Sequence, residues 1–237
     1  MKGVTIILMK GYNSKSRVSL NQRDHVRLID ALSFDLYNVI LATSTCNDSW
    51  DCLIASPDRL FSERCKKKNI SVLDLIPGEL NSIFRQIQNW AVEEGYDALI
   101  LCAGDIPLLQ GDLIDKIKEE LSLGLKEKGK SMVVCPSKGN GVSVIAISPA
   151  NLWMITARDG VDNLQVIKEL NREIYPYQIL KDFGSYLDLD QQEDLFSTLR
   201  FMEKNPVYKN RATLRLLKEI VPVEEMSSNY SSSYFFT

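Results

Sequence analysis

Histidine is almost absent from this chain of 237 residues, which contains only His25. His25 lies among Arg23, Asp24 and Arg27, and such charged neighbours are typical of an exposed helix surface. Ser–His and Cys–His catalysis both need an imidazole placed beside the nucleophile. The sequence therefore disfavours these hydrolase classes, and any chemistry must depend on carboxylates, cations and a metal ion.

Cysteine pairs with metal-binding or redox spacing are also missing. The five cysteines form no CxxC motif and lie far apart, at Cys46, Cys52, Cys65, Cys102 and Cys135. An odd, scattered set of thiols is typical of proteins from a reducing compartment. We therefore expect a cytoplasmic protein without structural zinc.

Long hydrophobic runs and a strong basic charge are lacking as well. The first apolar run, Val4 to Met9, is too short for a signal peptide or a membrane span and indicates a buried strand. The formal net charge is -3, so no global basic field attracts nucleic acid. These features predict that neither a membrane nor a nucleic acid is a partner.

Strand and helix patterns alternate along most of the chain. Strands are predicted at 4–9, 38–42, 70–76, 98–103, 131–135, 142–147, 173–180 and 186–189. The first helix is predicted to begin at a capping box over Ser19–Gln22 and to end at Leu36. Further helices are predicted at 57–68, 79–94, 110–128 and 210–220, and one begins near 191. Short helices are predicted on both sides of a loop over 157–163. This alternation predicts one three-layer α/β/α domain over 1–222 with a mostly parallel, partly mixed sheet. A serine-rich tail over 223–237 is expected to be disordered.

Two groups of charged residues follow predicted strands. Asp105 ends the strand 98–103, where its carboxylate can hold a divalent cation or cap the next helix. Lys10, Gly11, Lys15 and Arg17 follow the first strand, and they either bind phosphate groups or form a solvated basic loop. The GxxxxGK[ST] spacing of a P-loop is absent.

A second acidic pair, Asp188 and Asp190, precedes the helix that starts near 191. Residues two apart in a strand share one face, so both carboxylates can point at one ion; alternatively, Asp190 is the N-cap of that helix. Strand-to-helix junctions of a parallel sheet share an edge. Carboxylates facing a cationic loop there would assemble Mg²⁺ and a nucleoside triphosphate, which is the equipment of nucleotidyl transfer.

With these motifs in order, the chain resembles the 2-phospho-L-lactate guanylyltransferases of deazaflavin coenzyme biosynthesis. These belong to a superfamily that includes the molybdenum-cofactor guanylyltransferases and the sugar-phosphate nucleotidyltransferases. The matching strings are Met9–Gly11, Ser14–Val18, Glu79–Asn81, Gly104–Leu109, Pro136–Ala146, Asp188–Leu195 and Arg211–Leu214.

The resemblance implies a nucleotide-diphospho-sugar transferase-like fold and transfer of GMP from GTP to a small anionic acceptor, with Mg²⁺ as cofactor. It assigns the metal to Asp105, Asp188 and Asp190, and catalytic roles to Lys15, Arg17 and Asp105. Nucleotide binding is implied for Lys10, Gly11, Lys15, Arg17 and Asn81, and acceptor binding for Gly139, Gly141, Val142, Gly160 and Asn163.

The departures from this family fall in the acceptor site. Val142 stands where the family has a threonine, Asn163 where it has a serine and Ile167 where it has a histidine. Without the threonine hydroxyl, an acceptor anion loses a hydrogen bond worth about 1–3 kcal/mol. The alternatives are therefore a different acceptor, such as molybdopterin or a sugar phosphate, or a non-catalytic nucleotide-binding protein. Apolar residues on the last helix (Leu214, Leu216, Leu217 and Ile220) leave room for a homodimer.

Overall fold

A single mixed sheet organises the computed structural model, which describes residues 1–12, 18–43, 50–138, 141–152 and 177–221. Its strands are β1 (Gly3–Leu8), β2 (Trp50–Ser56), β3 (Val72–Asp74), β4 (Ala98–Ala103), β5 (Ser131–Pro136), β6 (Val142–Ser148) and β7 (Tyr177–Ile179). The strand order is β3-β2-β1-β4-β6-β5-β7. β1 to β4 run parallel, β6 is antiparallel to both of its neighbours, and β7 is parallel to β5.

Helices cover both faces of this sheet. They are α1 (Gln22–Thr43), α2 (Arg59–Lys67), α3 (Leu80–Glu93), α4 (Gly111–Lys128), α5 (Phe183–Tyr186), α6 (Gln192–Lys204) and α7 (Ala212–Ile220), with a 3₁₀ turn at Pro206–Tyr208. One buried cluster joins α1, α2 and α4 to one face, and another joins α3 to the opposite face. The predicted three-layer α/β/α fold with a partly mixed sheet is confirmed.

A third buried cluster lies beyond α1 and involves the last helices. Leu195 and Leu199 of α6 and Leu217 of α7 pack there with Leu108 and Leu189. Because Leu108 follows β4 and Leu189 precedes α6, this cluster draws the chain around residue 189 towards the end of β4.

The sequence-based prediction of a strand at 38–42 is wrong. α1 continues through that stretch to Thr43, and the strand that follows is β2, which the sequence reading missed. Leu36, Tyr37 and Ile40 are buried at helical spacing, so the short apolar run is the buried face of a helix rather than a strand. The helix cap also lies two residues later than predicted, because Asn21 Oδ1 accepts a hydrogen bond from the amide of Asp24 at 2.9 Å.

The strand predicted at 186–189 is also wrong. Residues Phe183–Tyr186 form the short helix α5, capped by the Asp182 carboxylate, and the next residues connect it to α6 without strand pairing. The remaining differences are of length, since β3 and β7 each span three residues. The predicted helices beside the 157–163 loop and the predicted tail over 223–237 lie outside the described residues. In the part of the chain that the structure describes, no helix is long and apolar enough to cross a membrane.

Candidate active site

The carboxyl ends of β1 and β4 lie side by side and bring the first charged groups together. The two strands pair in parallel from Gly3 with Ala98 to Leu8 with Ala103. Lys10 and Asp105 therefore leave the same edge of the sheet, and Lys10 Nζ lies 4.0 Å from Asp105 Oδ2. The start of the basic loop and the strand-terminal aspartate therefore share one edge of the sheet.

The segment that carries Asp188 and Asp190 reaches the same edge. The amide of Leu189 donates to the carbonyl of Asp105 at 2.9 Å. Close packing of α5 permits this approach, because a Cβ at Gly184 would lie only 2.5 Å from the carbonyl oxygen of Leu108. The structure thus brings three predicted carboxylates to one place, although 83 residues of sequence separate Asp105 from Asp188.

The pKa values of two of these carboxyl groups are raised. Burial raises the pKa of Asp105, with Asp190 adding to the rise and Lys10 opposing it. Burial likewise raises the pKa of Asp188 to about 7, and the charges of Asp105 and Asp190 contribute. Carboxylates held at such proximity are the ligands that a hard divalent cation prefers.

The described carboxylates do not by themselves complete a metal site. Among the described residues, no three His, Cys, Asp or Glu side chains form a group that could hold a metal ion. Asp105 and Asp188 are partly buried, whereas Asp190 is exposed. A bound cation would take its remaining ligands from nucleotide phosphates and water, as magnesium usually does in phosphoryl-transfer sites.

A buried aspartate that the sequence analysis did not single out as a site residue lies just behind the acidic pair. Asp194 Oδ2 accepts hydrogen bonds from the amides of Asp190 at 3.1 Å and Gln191 at 2.8 Å. Its other oxygen accepts from Lys138 Nζ at 2.8 Å. This bond raises the pKa of Lys138, and the charge of Asp188 adds to the rise. The sequence signals for Asp194 were its place in the family string Asp188–Leu195 and its position in the first turn of a helix.

The turn after Asp105 is held from behind by the C-terminal segment. Arg211 donates through Nη1 to the carbonyl of Pro107 and through Nη2 to that of Leu109, each at 2.6 Å. The hydroxyl of Tyr208 donates to the carbonyl of Leu108, between them, at 3.0 Å. Arg211 belongs to a family string, yet its spacing gave no hint that it satisfies a turn about 100 residues earlier.

The start of the basic loop is fixed by Asp58, which precedes α2. Asp58 Oδ2 accepts from the amide of Tyr12 at 2.8 Å, while Oδ1 accepts from that of Phe61 at 3.2 Å. Gly11 has a φ of +83°, and a Cβ there would overlap the Asp58 side chain. Gly11 thus lets the chain turn tightly against Asp58. Two other predicted residues of this loop, Lys15 and Arg17, lie outside the described residues.

Asn81 occupies the same sheet edge at a distance from the acidic pair. It lies in the first turn of α3, which follows β3, and β3 is three strands from β4. At about 4.8 Å per strand, β3 and β4 are separated by roughly 15 Å. Its Oδ1 is buried without a hydrogen-bond partner among the described residues. An orphaned acceptor of this kind is suited to a donor from a bound ligand.

The acceptor-side residues that are described lie at the start of β6. β6 pairs antiparallel with β4, with Cys102 opposite Val144, so Val142, the first residue of β6, lies near the carboxyl end of β4. An irregularity in the β5–β6 pairing sets Pro136 opposite Val142 but Cys135 opposite Val144. This bulge turns Val142 towards the apolar cluster on the α3 face.

Gly141 and the remaining acceptor residues complete the predicted set. The carbonyl of Gly141 accepts from the amide of Ser137 at 3.0 Å, which closes the loop before β6. The other predicted acceptor residues, Gly139, Gly160 and Asn163, lie outside the described residues.

Several solved structures share this architecture. A protein of Desulfovibrio desulfuricans G20, provisionally named a nucleotide-diphospho-sugar transferase, superposes with a TM-score of 0.74 at 18% identity, covering 92% of this chain and 95% of its own. A nucleotidyl transferase from Methanothermobacter thermautotrophicus gives a TM-score of 0.59 at 11% identity, with coverages of 86% and 99%. A cytidylyltransferase from Leptospira borgpetersenii gives 0.54 at 14%, with 97% of both chains covered. At these identities the likeness establishes the fold.

The class of protein is thus a nucleotidyltransferase-like α/β/α domain with acidic and basic groups at the carboxyl edge of its sheet. A family model narrows the class, since the model described as guanylyl transferase CofC-like matches residues 4–230. The chain belongs to this family of nucleotidyltransferases, and the resemblance seen in the sequence is confirmed.

Proposed function

We propose that this protein transfers GMP from GTP to a small phosphorylated carboxylic acid such as 2-phospho-L-lactate, with release of pyrophosphate. The observation that supports it most is the meeting of Asp105 and Asp188 beside Lys10, with the pKa of both carboxyl groups raised. Family membership supports guanylyl transfer as the reaction class.

In this reaction an anionic oxygen of the acceptor attacks the α-phosphorus of GTP, and the bond between that phosphorus and the bridging oxygen to the β-phosphate breaks. The electron pair leaves with pyrophosphate. No general base is needed because the attacking oxygen is already an anion. The absence of a histidine from the described site is consistent with such chemistry.

Asp105 and Asp188, with Asp190 as a further ligand, would hold Mg²⁺, which supplies positive charge against the phosphate oxygens. Lys10, together with Lys15 and Arg17, would neutralise the leaving pyrophosphate. Asn81, with its unpartnered oxygen, would accept from a donor group of the nucleotide. The loop of Gly139 and Gly141 would bring its backbone close to the acceptor.

Pyrophosphate release tests this proposal. The wild-type protein is incubated with GTP, ATP, CTP or UTP, with 2-phospho-L-lactate and with Mg²⁺ or EDTA. GTP with Mg²⁺ should give the highest rate, and Asp105→Asn should lower kcat/KM by about 10³-fold or more. Asp112→Asn, an exposed carboxylate in the first turn of α4, is the matched control and should behave like wild type. Unchanged Mg²⁺-dependent turnover in Asp105→Asn would refute the assignment.

A different acceptor is the second candidate, and Val142 is the observation that favours it. Its side chain packs with the apolar cluster on the α3 face and offers no hydroxyl to a small anion. The same assay with molybdopterin and a panel of sugar phosphates distinguishes the two acceptor classes. GTP binding with no pyrophosphate release from any acceptor would instead support a non-catalytic nucleotide-binding protein.

A further inference from the structure

We infer that Asp194 is a positioning residue that sets the Asp188–Asp190 segment and, through Lys138, the acceptor-side loop in one fixed arrangement. This inference rests on the proposed function, since it concerns how the nucleotide and acceptor halves of that site are joined. Neither Asp194 nor Lys138 was assigned to the site from the sequence.

One oxygen of Asp194 binds the backbone of the acidic segment. Asp194 is 1% exposed, and one of its oxygens accepts from the two successive amides of Asp190 and Gln191. In a capping box the N3 side chain, here that of Asp194, accepts only from the amide of the N-cap residue, here Gln191. The additional bond to the amide of Asp190 fixes the backbone of a predicted metal ligand. The orientation of the acidic segment is therefore set by one buried carboxylate.

The other side of the connection is an ion pair between Asp194 and Lys138. The other oxygen of Asp194 accepts from Lys138, which comes 56 residues earlier in the chain, directly after β5. The side chain of Lys138 is 47% exposed, whereas that of Asp194 is 2% exposed. A buried carboxylate without its cation is strongly unfavourable, so the pair holds Lys138 in place.

Lys138 transmits this constraint to the acceptor loop. Its neighbour Ser137 donates its amide to the carbonyl of Gly141, which closes the loop immediately before Val142. The chain of contacts therefore runs from Asp190 through Asp194 and Lys138 to Val142 at the start of β6. Because these contacts join the two segments, acceptor binding beside Val142 favours the arrangement of the acidic segment that binds Mg²⁺ and nucleotide, and the reverse follows by linkage.

The test measures this coupling as a ratio of affinities. Binding of Mg²⁺ with guanosine 5′-(α,β-methylene)triphosphate, which cannot transfer GMP, is titrated calorimetrically with and without 2-phospho-L-lactate. The wild type should bind the nucleotide about fivefold or more tightly when the acceptor is present. Lys138→Met and Asp194→Asn, in which an asparagine oxygen can still accept from the two amides, should reduce this ratio to below about twofold.

Two controls separate positioning from general destabilisation. Lys138→Arg retains a cation for Asp194 and should restore the coupling. Leu121→Ala removes a buried side chain from α4, outside the third cluster, and should lower Tm while leaving the ratio unchanged. A wild-type affinity ratio near one would overturn the inference, and so would an unchanged ratio in Lys138→Met and Asp194→Asn. In either case, pyrophosphate release by the wild type would still support the proposed function. Failure of the wild type to bind the nucleotide would overturn both.

Discussion

Replacing Asp188 by asparagine should make the metal-free protein more stable at pH 8. Burial and the neighbouring carboxylates raise the pKa of Asp188 from 3.8 to about 7. A carboxyl group whose pKa is raised by folding binds protons more tightly in the folded state than in the unfolded one. The free energy of unfolding therefore falls as the pH rises from about 4 to about 7, and the penalty is complete above pH 7.

The size of the stability gain follows from the rise in the pKa of Asp188. A rise of about three units corresponds to about 4 kcal/mol at 1.36 kcal/mol per unit. Asp188 is only partly buried, and solvent screening reduces this to about 2–3 kcal/mol. An asparagine keeps the shape and polarity but carries no charge. In a protein of this size, a gain of that order raises Tm by about 5–10 °C.

Thermal unfolding in EDTA at pH 4.5 and pH 8 checks the reasoning. Asp188→Asn should match the wild type at pH 4.5 and exceed it at pH 8. Mg²⁺ should then raise the Tm of the wild type at pH 8 and leave that of the variant nearly unchanged, because the bound cation relieves the same repulsion. Equal destabilisation of Asp188→Asn at both pH values would refute the electrostatic account, and the exposed Asp112→Asn serves as the charge-matched control.

Other substitutions address the elements that surround the acidic groups. Arg211→Lys should lower the free energy of unfolding by about 2–3 kcal/mol and should lower kcat. The reason is that one ammonium cannot donate to both carbonyls that the guanidinium binds at 2.6 Å. Arg215→Lys, at an exposed position, is the control and should change neither quantity. Asp58→Ala should lower Tm by removing a helix cap worth about 1 kcal/mol and should weaken GTP binding in calorimetry, because the amide of Tyr12 loses its partner. Val142→Thr should lower the KM for 2-phospho-L-lactate by up to about tenfold if the acceptor is a small anion, and an unchanged KM would favour a different acceptor.

The residues nearest the chemistry were predictable because each follows a strand with an unambiguous pattern. The apolar strand before Asp105 and the polar loop after Val4–Met9 both lead to the carboxyl edge of a parallel sheet, where Lys10 and Asp105 indeed meet. The segment with Asp188 and Asp190 lies next to Asp105 even though the strand predicted there was wrong. Its position depends on the packing of Leu189 with the third cluster rather than on sheet pairing.

The supporting contacts could not be predicted because they join residues far apart in sequence through side-chain geometry. Lys138 meets Asp194, and Arg211 meets Pro107 and Leu109, and no local pattern marks either contact. The helical course of 38–42 was equally ambiguous, since a short apolar run suits a buried strand or a buried helix face. Tertiary packing on the sheet decides between them.

The position of Val142 shows why acceptor identity depends on backbone irregularity as well as residue type. In regular alternation, β6 directs Val144 and Ala146 to one face and Ile145 and Ile147 to the other. Val142 would then share the face of Val144, but the bulge opposite Cys135 and Pro136 moves it to the face of Ile145. A threonine at 142 would carry its hydroxyl to that face too. Under the proposed function, acceptor preference therefore depends on both the residue at 142 and the irregularity that orients it.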